Sequence, residues 1–297
     1  MAIPSLPGGA RRELLAALYR RPRAQILLLL TPPAGWFGVV YLGSLALLLV
    51  TALWTFDGTT GKVVQHWTLD NIGQIISQPT FRTVASRTFV FAVAVTIADM
   101  AIAFPIAYFM AQVAGARTRA VLFMLCLLPL WASYLVRVYA WRVILSPNGP
   151  LDWSLGLFGF GPAGLYPSDL GAGIVFTYLW LPYMILPLYA GLERVPRSLL
   201  EASADLGAKG GMTFRRIVLP LVLPALAAGS IFTFSLTLGD YITPGLVSNN
   251  QFIGNLIFEQ QGVAGNLPLA AAFALVPIGI MGIYLFVARR LGAFDAL

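Results

Sequence analysis

Six stretches of this chain are apolar for long enough to cross a bilayer as helices, and that feature constrains the fold more than any other. Spanning the hydrocarbon core takes about 20 apolar residues in helical form. The qualifying runs are roughly 26–56, 88–113, 120–144, 171–192, 217–241 and 267–289. Lipid offers nothing to hydrogen-bond an open backbone, so such runs are expected to be helices. Only 10% of the 297 residues are charged and 58% are hydrophobic, whereas a soluble domain carries about 25% charge. The expected fold class is an all-α membrane protein with six transmembrane helices. One domain, 26–297, would follow a cytoplasmic or interfacial segment, 1–25. The first run is too long for a straight span. Pro32 and Pro33 are expected to break it, because proline lacks the amide donor and clashes with the preceding turn. Residues 34–56 would then cross, and 11–31 would lie at the interface.

Charge sets the orientation. With the N-terminus inside, fourteen of the 19 Lys and Arg residues fall in inner segments. They are Arg11, Arg12, Arg20, Arg21, Arg23, Arg117, Arg119, Arg194, Arg197, Lys209, Arg215, Arg216, Arg289 and Arg290. Lys62, Arg82, Arg87, Arg137 and Arg142 remain outside or toward outer ends. The bias predicts that both termini are cytoplasmic. A net charge of +7 distributed in this way answers to the membrane and not to a nucleic acid. Cys126 has no possible disulfide partner and reads as a small apolar side chain. His66, the one histidine, reads as a loop residue, and no metal site is expected. The outer loops 57–87, 145–170 and 242–266 are long enough to form short helices and a docking surface. No Gly-x4-Gly-Lys-Ser/Thr phosphate loop occurs, so this chain is not expected to be an enzyme or to carry a cofactor.

The inner loop 193–216 combines charge with a helical pattern. Ser198-x-x-Glu201 has the form of a capping box, predicting a helix from Leu199. Gly207 can adopt positive φ and end it near Leu206. Leu199, Ala202, Ser203 and Leu206 are expected to share one face. Glu201 and Asp205 would share the other, a like-charge pair that a basic partner surface would relieve.

This segment resembles the EAA loop of the permease subunits of ABC importers. The family pattern is Glu-Ala-Ala, three residues, Gly, nine residues, Ile-x-Leu-Pro. Glu201, Ala202, Gly207, Ile217, Leu219 and Pro220 stand at those spacings, with Ser203 in place of the third small residue. Leu135–Leu145, Asn148-Gly149, Gly239–Pro244, Ile253–Ile257 and Asn266–Ala270 are similar to the spermidine/putrescine-type branch. The resemblance implies a type I ABC importer permease fold in a bacterial inner membrane. It implies ATPase coupling through Glu201, Ala202, Ser203, Asp205, Leu206 and Gly207. It implies partners: a pair of cytoplasmic ATPase subunits carrying ATP and Mg, a second permease subunit, and a periplasmic solute-binding protein. The cargo it suggests is a polyamine, with an amino-acid derivative, phosphonate or ferric complex as alternatives. A stand-alone secondary transporter or channel is the reading from a different class.

Ionisable groups inside spans are costly and usually face a cavity or a partner. Asp99 lies mid-run in the second span, Arg137 in the outer third of the third, and Asp240 at the outer end of the fifth. Helix rise puts Arg137 and Asp240 at similar depth and Asp99 roughly 10 Å deeper, so an Arg137–Asp240 ion pair, structural or gating, is expected, with direct substrate contact by these two as the alternative. Two roles stay open for Asp99: a carboxylate for a passing amine, or a bond to neighbouring backbone or to Thr96. Of the aromatic residues, Trp131 and Tyr178 are the best placed for cation–π contact with an amine.

Overall fold

The prolines and small residues that punctuate the apolar runs decide where the helices bend. A computed structural model describes residues 22–290. The expected interfacial segment lies almost wholly outside those residues. Helix α1 (Pro22–Trp36) passes through Pro32 and Pro33 without a break, continues as a π-helical turn over Phe37–Leu42, and runs on as α2 (Gly43–Thr51). Proline within a membrane helix is tolerated where neighbouring groups and local π adjustments accommodate it. Thr31 Oγ1 also donates to Leu27 O at 2.6 Å. The expected break at Pro32–Pro33 is therefore corrected: Ile26–Thr51 is one continuous span. It is almost entirely exposed along its length.

A hairpin and a short helix follow. Strands β1 (Thr55–Asp57) and β2 (Lys62–Val64) pair antiparallel, and α3 (Asp70–Ser77) follows. Asp57 closes the turn by accepting from Thr59 N at 2.9 Å, Thr59 Oγ1 at 2.6 Å and Thr60 Oγ1 at 2.7 Å. His66 sits in the loop after the hairpin, as expected.

The second span joins α4 (Pro79–Tyr108) to a π turn at Phe109–Val113. Its 35 residues rise about 52 Å, well beyond a hydrocarbon core of about 30 Å. Thr88 and Thr96 satisfy their hydroxyls on carbonyls four residues back, at 2.8 and 2.7 Å. The third span is not straight. Helix α5 (Ala116–Trp131) and helix α6 (Tyr134–Leu145) meet at 95°, because Ala132 and Ser133 are extended. Helix α7 (Pro150–Leu157) leads to α8 (Asp169–Glu193), whose N-cap Ser168 accepts from Gly171 N at 2.9 Å.

After α8 come α9 (Arg197–Asp205) and the fifth span. That span is a 30-residue rod, Gly210–Gly239, built from α10 (Gly210–Thr213), a π turn at Phe214–Val218 and α11 (Leu219–Gly239). Short helices α12 (Ile242–Val247) and α13 (Ile253–Phe258) precede α14 (Leu267–Arg290). Among the described residues five helices are long and apolar enough to cross a membrane, or six with the bent pair as one.

The core lies between α4, α8 and α11. Small residues let the last two approach closely, as van der Waals packing in lipid requires. A Cβ built on Gly229 would sit 2.7 Å from Met184 Sδ and 3.2 Å from its Cα. Phe91 contacts Phe176 and Phe252 edge-on, at 5.7 and 5.0 Å between centroids. Cys126 is partly buried against an apolar cluster and forms no disulfide. At the basic end, Gln112 Nε2 donates to Leu192 O at 2.7 Å, and Arg119 joins Glu193 at 3.4 Å. These contacts tie spans two, three and four together where α9 begins.

Candidate functional site

Helix α9 starts earlier than its sequence suggests. Pro196 is the N-cap and makes no side-chain cap bond. Proline has no amide to satisfy and a φ suited to a helix start, so the helix begins at Arg197. Ser198 then lies inside the first turn. The expected Ser198–Glu201 capping box is not formed, and Glu201 is free of any capping task. The C-terminal end is as expected. Gly207 has φ +75°. Gly207 N donates to Ala204 O at 2.9 Å and Ala208 N donates to Ser203 O at 3.0 Å. Those two bonds are the Schellman arrangement, in which a glycine in the left-handed region closes the orphan carbonyls.

The faces of α9 also differ from the expected division. Leu200 and Ser203 turn inward; Ser203 is only 6% exposed, and its Oγ lies 2.7 Å from Thr213 Oγ1. Leu199, Ala202 and Leu206 turn outward beside Glu201 and Asp205, and Leu206 is 88% exposed. The outward surface is therefore mixed acidic and apolar. Beneath the helix lies an apolar cleft of about 550 Å³, lined by Phe104, Tyr108, Leu200, Ala204 and Phe214 among others.

At the other end the anticipated Arg137–Asp240 ion pair is absent. Asp240 Oδ1 accepts from Ile242 N at 2.8 Å and Thr243 N at 3.4 Å, capping α12. Its Oδ2 accepts from Thr243 Oγ1 at 2.8 Å and from the Tyr134 hydroxyl. The 95° bend explains the error in depth: along α6, helix rise no longer measures distance across the membrane. Tyr134, one turn before Arg137, takes the carboxylate instead. Arg137 is 8% exposed, and its Nε and Nη1 have no partner among the described residues.

Asp99 is fully buried on α4, and neither carboxylate oxygen has a partner among the described residues. Thr96 does not bond it, since that hydroxyl is committed to Ala92 O. Tyr178 packs against Trp141 at 5.2 Å between centroids. Trp131 is 91% exposed at the end of α5. The structure thus brings Tyr134, Asp240 and Thr243 together, with Trp180 stacked on Tyr134 at 5.8 Å, and leaves Trp131 apart. The sequence singles out Trp131 and Tyr178 among the aromatic residues, and not Tyr134. Its hydroxyl is what matters, and an outward tyrosine near an aspartate 106 residues away gives no local signal. Thr213, the partner of Ser203, was missed for the same reason.

Residues 103–293 match the model of the family described as the binding-protein-dependent transport system inner membrane component. The chain belongs to that family. It is 47% identical to the inner membrane ABC transporter permease protein YdcU of Escherichia coli over 99% of this chain and 97% of that protein. It is 31% identical to the spermidine/putrescine transport system permease protein PotB of Escherichia coli, over 86% of this chain and 94% of PotB. The fold matches a bacterial alginate ABC transporter, solved in complex with an alginate pentasaccharide-bound periplasmic protein, with a TM-score of 0.72 at 15% identity over 94% of this chain and 96% of that one. The permease is therefore a multi-pass inner-membrane component of an ABC importer. It is not an enzyme, because ATP hydrolysis in this family lies on a separate subunit. That membership removes the stand-alone transporter reading.

Proposed function

We propose that this permease moves a polyamine delivered by a periplasmic binding protein, and that it couples to a cytoplasmic ATPase pair through α9. The observation that carries the coupling is the outward face of α9, where Glu201, Asp205 and the 88% exposed Leu206 project together from the basic end. An apolar side chain so exposed suits a partner's pocket, and the two carboxylates suit basic groups around it. Under this reading the basic end is cytoplasmic, a second permease completes the membrane unit, and the six residues 201–203 and 205–207 form the coupling element. The chemistry of ATP and Mg stays on the partner. Rocking of the two permeases opens the path alternately to each side.

The likeness to PotB supports the polyamine. Asp99 supports it chemically, as a carboxylate without a protein partner on a central helix. It is sealed in this state, so a cation would meet it only when the path opens. Tyr178 offers a half-buried ring for the same cation. Arg137 favours the second reading, in which an anionic cargo such as a phosphonate takes the polyamine's place, because a buried guanidinium with free donors repels amines. Asp240, already holding four donors, is assigned to structure and not to the path.

The test is ATP hydrolysis by the reconstituted importer with its binding protein loaded with spermidine, with a phosphonate, or empty. Stimulation by the spermidine-loaded form alone supports the reading. Stimulation by the phosphonate-loaded form alone overturns the cargo and moves the weight from Asp99 to Arg137. In the same assay, Asp99→Asn is expected to lower spermidine uptake at normal expression and normal ATPase stimulation. Unimpaired uptake sinks the role of Asp99.

A further inference from the structure

The resemblance places Ser203 among the residues that would meet the ATPase, yet its side chain points the other way. It is buried, and its Oγ lies 2.7 Å from Thr213 Oγ1. Thr213 is not part of α9. It ends α10, the first turn of the 30-residue rod that forms the fifth span. That rod rises about 45 Å and finishes at Gly239, next to Asp240 and the Tyr134–Thr243 cluster at the opposite end. One hydroxyl pair therefore fastens the helix that would receive the ATPase's movement to a rod that crosses the whole protein.

The hydroxyl pair acts beside a short backbone link and one apolar contact. The covalent connection from α9 to α10 is the short stretch 206–209, turned at Gly207, which stands at φ +75°. The backbone bonds of that turn close the end of α9 on itself, and the hydroxyl pair is the side-chain bond that joins α9 to α10. Packing adds to the bond at one point, where Leu200 lies against the cluster that holds Val218 and Val222 of the fifth span, beside the apolar cleft of about 550 Å³. Arg197 Nη2 does reach Gln112 O, at 3.4 Å, but that contact is exposed and leads to the second span, not the fifth. A hydroxyl bond in apolar surroundings is also costly to leave half-made.

We propose that Ser203 and Thr213 form a clasp that transmits movement of α9 to the fifth span, and that Ser203 is a positioning residue and not a docking one. The proposal rests on α9 being the coupling element. The clasp sets how much transport each hydrolysed ATP yields, without changing how tightly the ATPase is held.

The experiment compares Ser203→Ala, Thr213→Val, the double variant, and the conservative Thr213→Ser in the reconstituted importer. Solute moved per ATP hydrolysed is measured together with co-purification of the ATPase. Each of the first two variants is expected to lower that ratio about fivefold, the equivalent of one net hydrogen bond. The double variant should be no worse than either, Thr213→Ser should restore the ratio, and the ATPase should co-purify normally throughout. Thr213→Val conserves shape and leaves Ser203 in place, so it decides the matter even where Ser203→Ala assembles poorly. An unchanged ratio in Thr213→Val overturns the clasp. So does loss of co-purification in Ser203→Ala with Thr213→Val normal, which would put Ser203 in the docking surface. The reading of α9 as coupling element is scored separately, on whether the unsubstituted chain retains an ATPase and Asp205→Ala weakens its hold.

Discussion

Replacement of Gly207 isolates a single physical term. The residue stands at φ +75°, and a Cβ built on it meets nothing within 4 Å. A substitution there has no steric neighbour to displace, so its cost is that of holding an L-residue in the left-handed region. That cost is about 1–2 kcal/mol, a factor of about 5–30 in the population that keeps the turn. Two backbone bonds depend on the turn: those from Gly207 to Ala204 and from Ala208 to Ser203. Their loss would fray the last turn of α9, where Asp205 and Leu206 sit. Asparagine tolerates this region better than alanine, and a β-branched residue tolerates it worse. Transport should therefore fall in the order Gly, Asn, Ala, Val, with about 5–30-fold as the ceiling for the loss in Ala, reached where the turn is only marginally populated. The assays are uptake by the reconstituted importer and proteolytic nicking between residues 205 and 210, which should rise in the same order. Equal uptake by the Asn, Ala and Val variants at equal expression would refute the claim that this turn holds the coupling surface.

Other positions give sharp expectations. Gly229→Ala forces a Cβ to 2.7 Å from Met184 Sδ and 3.2 Å from its Cα and should destabilise by about 1–3 kcal/mol, read as a lower Tm in detergent. Gly279→Ala, where an added Cβ meets nothing within 4 Å, should leave Tm level or slightly raised. Tyr134→Phe removes a hydroxyl bonded to a carboxylate and should cost about 1.5–3 kcal/mol, with Thr243→Val non-additive on top of it because both act on Asp240; additive Tm changes would contradict a shared network. In the hairpin, bonds from Thr59 and then Thr60 hold the Asp57 carboxyl down at about 2, against 3.8 ordinarily. A depressed value means the turn's contribution is complete above about pH 3.8 and disappears as pH falls through about 2, so NMR of the hairpin should show it intact at pH 4. Thr59→Ala should move the Asp57 midpoint upward.

What could be read from the sequence divides by the range of the forces involved. The spans were legible because a bilayer demands length and apolarity, and both are visible in one dimension. Gly207 was legible because a helix stop depends on its own φ and on bonds within five residues. Proline was only half legible. Pro32 and Pro33 sit within a continuous helix, while the third span breaks at Ala132 and Ser133, three and four residues after Pro129. The residue alone does not say which will happen, since the outcome depends on where the freed carbonyls find donors. The start of α9 turned on a one-residue competition. Pro196 is preorganised to open a helix and needs no cap, so it displaced Ser198 from the role its spacing suggested.

The Arg137–Asp240 pair failed for a reason that bears on the whole candidate site. An aspartate at a helix start is offered amides two and three residues on, with little entropy to lose. A guanidinium on another element has to be brought in from a distance and desolvated. Asp240 took Ile242 N, Thr243 N and the Thr243 hydroxyl, and then the Tyr134 hydroxyl, a neutral donor from the same helix as Arg137. Ser203 and Thr213 show the same preference at the other end, a neutral hydroxyl pair where an EAA loop with Ala in the third position would have no bond to make. Among the charges, Glu201 and Asp205 are exposed, Arg119 pairs with Glu193, Asp240 holds neutral donors, and Asp99 and Arg137 are buried without a partner among the described residues. The fastenings between α9 and the fifth span, and between α6 and α12, are made by hydroxyls. The two fastenings differ in what their breaking costs: the Ser203–Thr213 pair would leave only neutral hydroxyls unpaired, whereas loss of the Tyr134 bond would strip a donor from the Asp240 carboxylate, so the neutral pair is the one that yields at lower cost.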